Sequence, residues 1–347
     1  MHGWIILDKP LGLGSTQGVS AVKRALRDGG YGRFKVGHGG TLDPLATGVL
    51  PVALGEATKL AGRMLDSDKV YDFTIHFGEQ TDTLDAEGKV IATSDVRPTL
   101  AQLEAVLPRF TGAIEQVPPA YSALKVDGAR AYDLARAGEE VVLATRAVTV
   151  FTLTLSSPAR GGGARSATEG SDRPNAPRAF SDCRGRSDLS LPLDSATPLR
   201  QPFGLPPPLA GEGLDETTLT AHVSKGTYIR SLARDIARAL GTVGHVTMLR
   251  RTKAGPFTLA PAISLDILAE HAKARTLEQL ILPLRAGLDD IPALSLTPDQ
   301  AGALRQGRVL AGIAADDGQY FACSGDLPVA LVEVQAREMR VVRGFNL

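Results

Sequence analysis

The chain has 347 residues, of which 43 % are hydrophobic and 22 % are charged, as is typical of a globular protein with one large domain and a small one. No apolar run approaches the roughly 18 residues that a membrane-spanning helix needs, and the N-terminus has no secretory-signal pattern. The two cysteines suit neither a disulfide framework nor a zinc site, so we expect a cytoplasmic protein without a membrane partner.

The formal net charge is zero, but the charges are unevenly distributed along the chain. Residues 1–40 carry six basic and two acidic side chains, and residues 222–253 carry seven basic and one acidic. Because a polyanion responds to local potential, these two segments could form one nucleic-acid-binding face. Solvated helix faces remain the simpler explanation when charge alone is considered.

The first 155 residues predict a mixture of strands and helices. Short apolar or alternating segments predict strands over 4–7, 71–77 and 148–155. Apolar periodicity and capping signals predict a first helix capped by Ser15 or Thr16, a second that begins at Thr99 with a capping-box Gln102, and a third over about residues 129–137. The glycine-rich segment 37–44 predicts a loop. Because the strand–helix–strand rhythm of parallel sheets is missing, the pattern favours an α+β fold around a mixed, largely antiparallel sheet flanked by helices.

The composition changes sharply over residues 156–214. This segment of 59 residues contains nine Pro, eight Gly and eight Ser, and large apolar residues are scarce. Such a segment cannot bury enough surface to offset its conformational entropy, so we predict a disordered, low-complexity insertion. Beyond it, alternation predicts a strand over 218–223, which leads into a helix over about 227–240.

The last part of the chain, residues 291–347, predicts a small β-rich unit. Its short strands are expected at 319–323, 328–334 and 339–343. A unit of this size buries little surface by itself, so we expect it to pack against the main domain.

The common catalytic motifs are absent, including the phosphate-binding P-loop, the G-x-S-x-G elbow and the H-E-x-x-H metal pair. Asp82, Asp85 and Glu87 lack the spacing of a calcium loop and are interpreted as a solvated acidic turn. Asp43 lies between glycines and a proline, and carboxylates can act as nucleophiles at anomeric carbons. Taken alone, Leu42-Asp43-Pro44 fits an ordinary turn at least as well.

Residues 37–48, with the sequence GHGGTLDPLATG, resemble the active-site loop of the TruB family, the bacterial pseudouridine synthases that modify the T-loop uridine of tRNA (position 55). Further segments agree in the same order: 7–10, 55–59, 66–71, and 224–230 with 249–251. The resemblance covers residues 3–155 and 215–265 and is weaker at the C-terminus. It implies a pseudouridine synthase catalytic domain formed by 1–155 and 215–290, followed by a PUA-like RNA-binding module over 291–347.

The sequence departs from the family pattern at Gly14 and Gly39 and in the insertion 156–214. The two glycines loosen the backbone near the expected site without removing a functional group. The insertion interrupts none of the motifs, so the resemblance leaves the expected activity intact.

The resemblance also implies roles for individual residues. Asp43 would be the nucleophile that cleaves the bond between uracil and ribose, after which the base turns and rejoins the ribose through C5. Arg230 would pair with Asp43, and Tyr71 would stack on the target base. No cofactor and no metal would be required. Tyr71 could equally be a core residue, and Arg230 an ordinary helix arginine.

The target uridine lies inside a folded RNA loop and would have to be extruded before it reacts. His38 would support the flipped-out nucleotide, and Leu249 would form a wall of the uracil pocket. The remaining residues carried over by the resemblance would bind substrate, contact phosphates or line the cleft: Tyr228, Lys9, Lys59, Lys225, Arg250 and Arg251. Each alone could also be a packing or surface residue.

Three alternatives differ from a stand-alone synthase. The RNA-guided synthases of archaea and eukaryotes belong to the same superfamily, but residues 117–128 look like the bacterial type. A catalytically inactive RNA-binding protein would not need the Asp43 carboxylate. A sugar hydrolase normally needs a second, acid carboxylate, and no motif supplies one. We therefore expect the tRNA T-arm as the substrate, no guide RNA, and a monomer.

Overall fold

The computed structural model describes residues 1–122, 124–126, 128–139, 141–156 and 213–347. The predicted insertion lies almost entirely outside the described residues, so its order is untested. Within the described ranges, no helix is long and apolar enough to cross a membrane.

The helices are α1 (Ser15–Asp28), α2 (Ala61–Asp66), α3 (Leu100–Val106), α4 (Ala131–Arg136), α5 (Ile229–Ala239), α6 (Leu265–Ala274) and α7 (Pro298–Arg305). The strands of the first half are β1 (Gly3–Lys9), β2 (Val36–His38), β3 (Ala46–Leu54), β4 (Lys69–Phe77), β5 (Glu79–Thr81), β6 (Val90–Thr93), β7 (Gly112–Gln116), β8 (Lys125–Val126), β9 (Ala129–Arg130) and β10 (Arg146–Leu155). The strands of the second half are β11 (Glu216–Val223), β12 (Gly244–Ala254), β13 (Phe257–Thr258), β14 (Leu282–Pro283), β15 (Ala293–Ser295), β16 (Leu310–Ala311), β17 (Gly318–Ser324), β18 (Leu327–Gln335) and β19 (Glu338–Gly344).

The main sheet has the strand order β14-β1-β3-β12-β4-β11-β10-β7, with β2 added beside β3 and β13 beside β12. Its pairs are antiparallel except for β12 and β3, which run parallel. The predicted α+β class and the mixed, largely antiparallel sheet are therefore confirmed. The two central strands β12 and β4 place residues from distant parts of the chain side by side, and the cleft described below opens beside them.

Buried apolar clusters hold the helices against the sheet. The amphipathic α5 packs through Leu232 and Ile236 on Phe73 and Ile75 of β4. Helices α1 and α6 share a second cluster with β1 and β3. Helix burial of this kind, more than intrinsic propensity, stabilises helices of this length.

Several local predictions are confirmed, and three need correction. The Thr99 capping box is present, with Gln102 at its third position. The cap of α1, however, is Gly14, because the Ser15 hydroxyl is bonded to Leu42 instead. The segment predicted as a helix from residue 129 begins as the strand β9 and becomes helical only in α4. Gly37 and His38, predicted as loop, pair with β3 as part of β2.

The C-terminal unit contains a separate five-stranded sheet with the order β15-β17-β18-β19-β16. Its Phe321, Leu331 and Phe345 join Trp4 and Phe257 of the main sheet in one apolar cluster. The three strands expected in this unit are present, and the unit packs on the main domain as expected. The domain bounds and the PUA likeness stay predictions.

Candidate active site

Seven of the residues predicted from the sequence line one open cleft of about 1080 Å³: Asp43, Arg230, Tyr71, His38, Tyr228, Leu249 and Arg251. They come from four parts of the chain that the main sheet brings together. The loop between β2 and β3 carries Asp43, β4 and β12 carry Tyr71 and Leu249, and the start of α5 carries Arg230. Parallel pairing of β12 with β3 sets Leu249 beside Ala46, at the end of the Asp43 loop.

Asp43 and Arg230 form an ion pair at the bottom of this cleft. The Arg230 Nη2 atom lies 2.8 Å from the Asp43 Oδ2 atom. The Arg230 side chain is only 8 % exposed, whereas that of Asp43 is 43 % exposed. The carboxylate is thus oriented by a buried, charge-assisted contact and still reachable from the cleft. The pairing expected from the sequence is present, and the catalytic roles stay predictions.

Asp85 is a second carboxylate on the same guanidinium, and the sequence analysis missed it. Its Oδ2 atom lies 3.1 Å from Arg230 Nη1, and it accepts hydrogen bonds from the Thr83 hydroxyl and the Glu87 amide. Asp85 is buried, so its interpretation as part of a solvated turn is wrong. The turn-forming Thr83-Leu84-Asp85 segment was visible in the sequence, but its distant partner Arg230 was not.

Backbone carbonyls complete the surroundings of Arg230. Its Nη1 atom also donates to the Thr83 carbonyl at 2.9 Å, and its Nη2 atom donates to the Tyr121 carbonyl at 3.0 Å. Arg230 therefore joins the Asp43 loop, the turn before Asp85 and the segment around Tyr121. A guanidinium with planar, fixed donors suits this multiple contact better than a lysine ammonium does.

The walls of the cleft include aromatic and apolar side chains among its charged ones. Tyr71 and Leu249 are partly buried and pack against the apolar clusters on either side of the sheet. Burial raises the pKa of the Tyr228 hydroxyl, which therefore stays protonated at neutral pH. Burial and the nearby charge of Arg251 lower the pKa of His38. A neutral His38 can accept at Nδ1, which lies 3.4 Å from the Gly40 amide.

The predicted lysines do not line the cleft. Lys9 is fully buried, and its ammonium donates to the carbonyls of Pro10, Leu13 and Pro44. This corrects its assignment as a substrate contact, because a phosphate cannot reach it.

Lys59 and Lys225 both have partners at the surface. Lys59 pairs with Glu56 and donates to the Gly344 carbonyl at 2.9 Å. It therefore connects the main domain to the C-terminal unit and does not face the cleft. Lys225 is exposed, pairs with Asp66, and follows Ser224 at the rim of the cleft. Of the three lysines predicted to bind substrate, only Lys225 keeps a position from which it could meet a phosphate at this rim.

The two arginines of the 249–251 motif have different surroundings. Arg250 makes a two-bonded ion pair with Asp8 and remains about one third exposed. Arg251 lines the cleft, one of the two roles expected for it, but its side chain is buried and donates to three carbonyls, so a phosphate contact does not fit it. Lys69 is likewise buried, with its ammonium on the carbonyls of Met64, Leu65 and Ser67.

The comparisons with known proteins agree with this geometry. Residues 27–161 match the N-terminal domain of the TruB family pseudouridylate synthases, and residues 230–289 match the C-terminal domain of tRNA pseudouridylate synthase B. A curated tRNA pseudouridine synthase B from Novosphingobium aromaticivorans is 58 % identical over all of this chain and 98 % of its own. This chain belongs to the TruB family. It is accordingly an enzyme of the pseudouridine synthase class, an isomerase.

Further relatives and solved structures extend this result. The tRNA pseudouridine synthase B of Zymomonas mobilis is 53 % identical over all of this chain and 96 % of its own. A solved chain from an H/ACA RNP bound to a substrate RNA containing 2′-deoxyuridine superposes with a TM-score of 0.62 at 21 % identity, covering 99 % of this chain and 85 % of that one. The archaeal box H/ACA sRNP Nop10-Cbf5 complex gives 0.61 at 21 % identity, covering 99 % of this chain and 86 % of that one. These two likenesses show the fold alone.

Proposed function

We propose that this enzyme isomerises the T-loop uridine of tRNA to pseudouridine, in the cytoplasm, as a monomer without guide RNA, cofactor or metal. The observation that carries the proposal is the ion pair between Asp43 and Arg230, buried on the arginine side and open to the cleft on the carboxylate side. The curated relatives at 53–58 % identity are named tRNA pseudouridine synthase B, which supports tRNA as the substrate. The RNA-guided neighbours resemble the chain only at 21 % identity.

The cleft suits a nucleotide that has left its stack. An extruded uracil would stack on Tyr71 and lie against Leu249, where two partly apolar side chains exclude water from one side of the base. The neutral His38 at the same cleft can exchange hydrogen bonds with the displaced nucleotide without adding charge. The C-terminal unit, which we propose to be PUA-like, would contact the acceptor-side arm of the same RNA.

The proposed reaction begins with Asp43 as the nucleophile. Its carboxylate attacks either ribose C1′ or the base, and the glycosidic bond from C1′ to N1 breaks. The base turns within the cleft and forms a new bond from C5 to C1′, and the bond that Asp43 had formed breaks, so the carboxylate is regenerated. The C5 hydrogen leaves as a proton, and N1 takes up a proton. Arg230 holds Asp43 in place and stays positively charged throughout, so it stabilises the negative charge that develops near it.

Release of the C5 hydrogen provides the test. A T-arm hairpin tritiated at uridine C5 is incubated with the wild type and with Asp43→Asn, and label released to water is counted. We expect release by the wild type and a loss on the order of 10⁴-fold in Asp43→Asn, as for other catalytic nucleophiles.

A matched variant, Asp95→Asn, controls for the loss of one carboxylate, since Asp95 is exposed and outside the cleft. It should release label at the wild-type rate. A wild type that binds the hairpin but releases no label would refute the proposed function, and an active Asp43→Asn would refute the nucleophile.

A further inference from the structure

Arg251 is a buried cation without an acidic partner among the described residues. Its exposed fraction is 1 %, and its contacts are backbone carbonyls. Removing a guanidinium from water costs several kcal/mol unless its donors are well satisfied. A buried charge that is retained without a carboxylate therefore points to a role in holding a particular backbone conformation.

The backbone of Arg251 lies between the two strands that carry the reactive groups. On one side it pairs with Gly48 of β3, the strand that follows the Asp43 loop. On the other side it pairs with Tyr71 of β4. The pairing of β12 with β4 shifts in register directly after Arg251, at Thr252. Bulges of this kind commonly re-aim side chains beside active sites.

The side chain of Arg251 donates hydrogen bonds to both ends of the loop that carries Asp43. Its Nε atom donates to the Val49 carbonyl at 2.8 Å, beyond the loop. Its Nη1 and Nη2 atoms donate to the carbonyls of Thr41 and Gly40 at 3.2 Å each, before Asp43. The two ends of the loop are thus joined through one rigid, planar group.

The close approach of the loop to this strand depends on Gly48. Its φ is +97°, and a Cβ atom there would lie 2.2 Å from the Arg251 carbonyl oxygen. Both the conformation and the space require glycine at this position. The loop and β12 are therefore fitted to each other at the backbone as well as through the guanidinium.

We propose that Arg251 is a positioning residue, which holds the Asp43 loop at a fixed distance from Tyr71. The inference rests on the proposed function, because it concerns the alignment of the nucleophile with a base stacked on Tyr71. Misplacement of a reacting group by about 1 Å can cost roughly 100-fold in rate. Arg251 borders the cleft, but it is only 1 % exposed, so RNA affinity should depend on it little.

The test separates the rate of reaction from RNA affinity. The tritium-release assay is run as a single turnover at saturating hairpin, and the Kd is measured separately on unreacted hairpin. For Arg251→Gln we expect the rate to fall about 100-fold while the Kd stays within ~3-fold of wild type. Arg251→Lys keeps the charge, but its one nitrogen cannot occupy the three positions from which Nε, Nη1 and Nη2 of Arg251 donate, so it should remain at least ~10-fold slow.

Arg97→Gln is the matched control. Arg97 also makes hydrogen bonds to two carbonyls and pairs with Asp215, and it is outside the cleft. This variant should react at the wild-type rate, which shows that loss of a structural arginine alone does not slow the reaction.

A folded Arg251→Gln or Arg251→Lys that reacts at the wild-type rate would overturn the inference, as would equal losses of rate and affinity. If Arg251→Gln does not fold, Arg251→Lys decides the question alone. Absence of label release by the wild type would instead refute the proposed function, so the two failures are distinguishable.

Discussion

Two buried arginines contact the Asp43 loop, and their partners differ in kind. Arg230, at the start of α5, pairs with the carboxylates of Asp43 and Asp85. Arg251, on β12, donates to carbonyls of the loop and of β3. The comparison teaches that burial alone does not assign a role. The carboxylate-paired arginine controls charge at the site, whereas the carbonyl-bound arginine controls the path of the backbone.

The largest effect on stability and on reaction rate is expected when Arg230 is replaced. Arg230→Met leaves the buried Asp85 without its cation, so the free energy of unfolding should fall by about 3–5 kcal/mol. The single-turnover rate should fall by at least ~10²-fold, because Asp43 loses its orienting partner. Urea unfolding and the tritium-release assay measure the two losses.

A double variant sharpens this prediction. Adding Asp85→Asn to Arg230→Met removes the uncompensated charge, so stability should recover in part while activity does not. If the double variant is no more stable than Arg230→Met, the destabilisation comes from lost packing. Arg230 would then not differ from Arg251 by its control of charge.

An intermediate effect on the free energy of unfolding is expected at alkaline pH, from two buried lysines that lie near Arg251. Burial, together with the smaller effect of the Arg251 charge, lowers the pKa of Lys9 and of Lys69 from 10.5 to about 8. Between these two values the unfolded chain binds more protons than the folded one, so the free energy of unfolding rises with pH. This increase in the free energy of unfolding amounts to roughly 3 kcal/mol for each lysine above pH ~10.5, and it is lost as the pH falls through about 8.

The measurement compares urea unfolding of the wild type and Lys69→Met at several pH values from about 7.5 to about 10.5. The stability of the wild type relative to the variant should rise across this range. Lys273→Met, which alters an exposed lysine on α6, should show no such trend. A flat difference for Lys69→Met would mean that Lys69 keeps its proton in the folded protein over this range.

The smallest effect is expected at the rim of the cleft, where cations are exposed. Lys225→Gln breaks an ion pair whose two side chains are 63 % and 67 % exposed, so the free energy of unfolding should change by less than ~0.5 kcal/mol. If Lys225 contacts a phosphate, the slope of log affinity against log salt should fall by about one.

Lys59→Gln is the comparison for that salt slope. Lys59 is occupied by Glu56 and the Gly344 carbonyl, so its loss should leave the slope unchanged. If the salt slope changes for Lys59→Gln and not for Lys225→Gln, the RNA contacts the protein near Lys59 and not at the cleft rim near Lys225.

Much of the local structure could be predicted from the sequence. The alternation in residues 71–77 predicted β4, and the Thr99 capping box predicted the start of α3, because both depend on neighbouring residues. The family motif around Asp43 identified the loop and its partner Arg230. Asp85 was misassigned because a carboxylate in a polar turn has the same local pattern whether or not a distant arginine covers it.

Lys9 and Arg251 were misassigned for a related reason. A basic residue in a family motif is expected to meet phosphate, yet both side chains here are buried on backbone carbonyls. Carbonyl partners leave no trace in the residue types around them, since every residue carries one.

The sequence by itself determined the α+β class, the family, and the chemical groups available for the reaction. Tertiary structure decided which charges are buried and, apart from the Asp43–Arg230 pair that the family motif implied, which charges meet. The parallel register of β12 with β3 and the position of α5 bring Arg251 and Arg230 into contact with the same loop. The physical reason is that local patterns reflect short-range sterics and hydrogen bonds. The energy of a charge depends on desolvation and on partners that only the folded chain brings together.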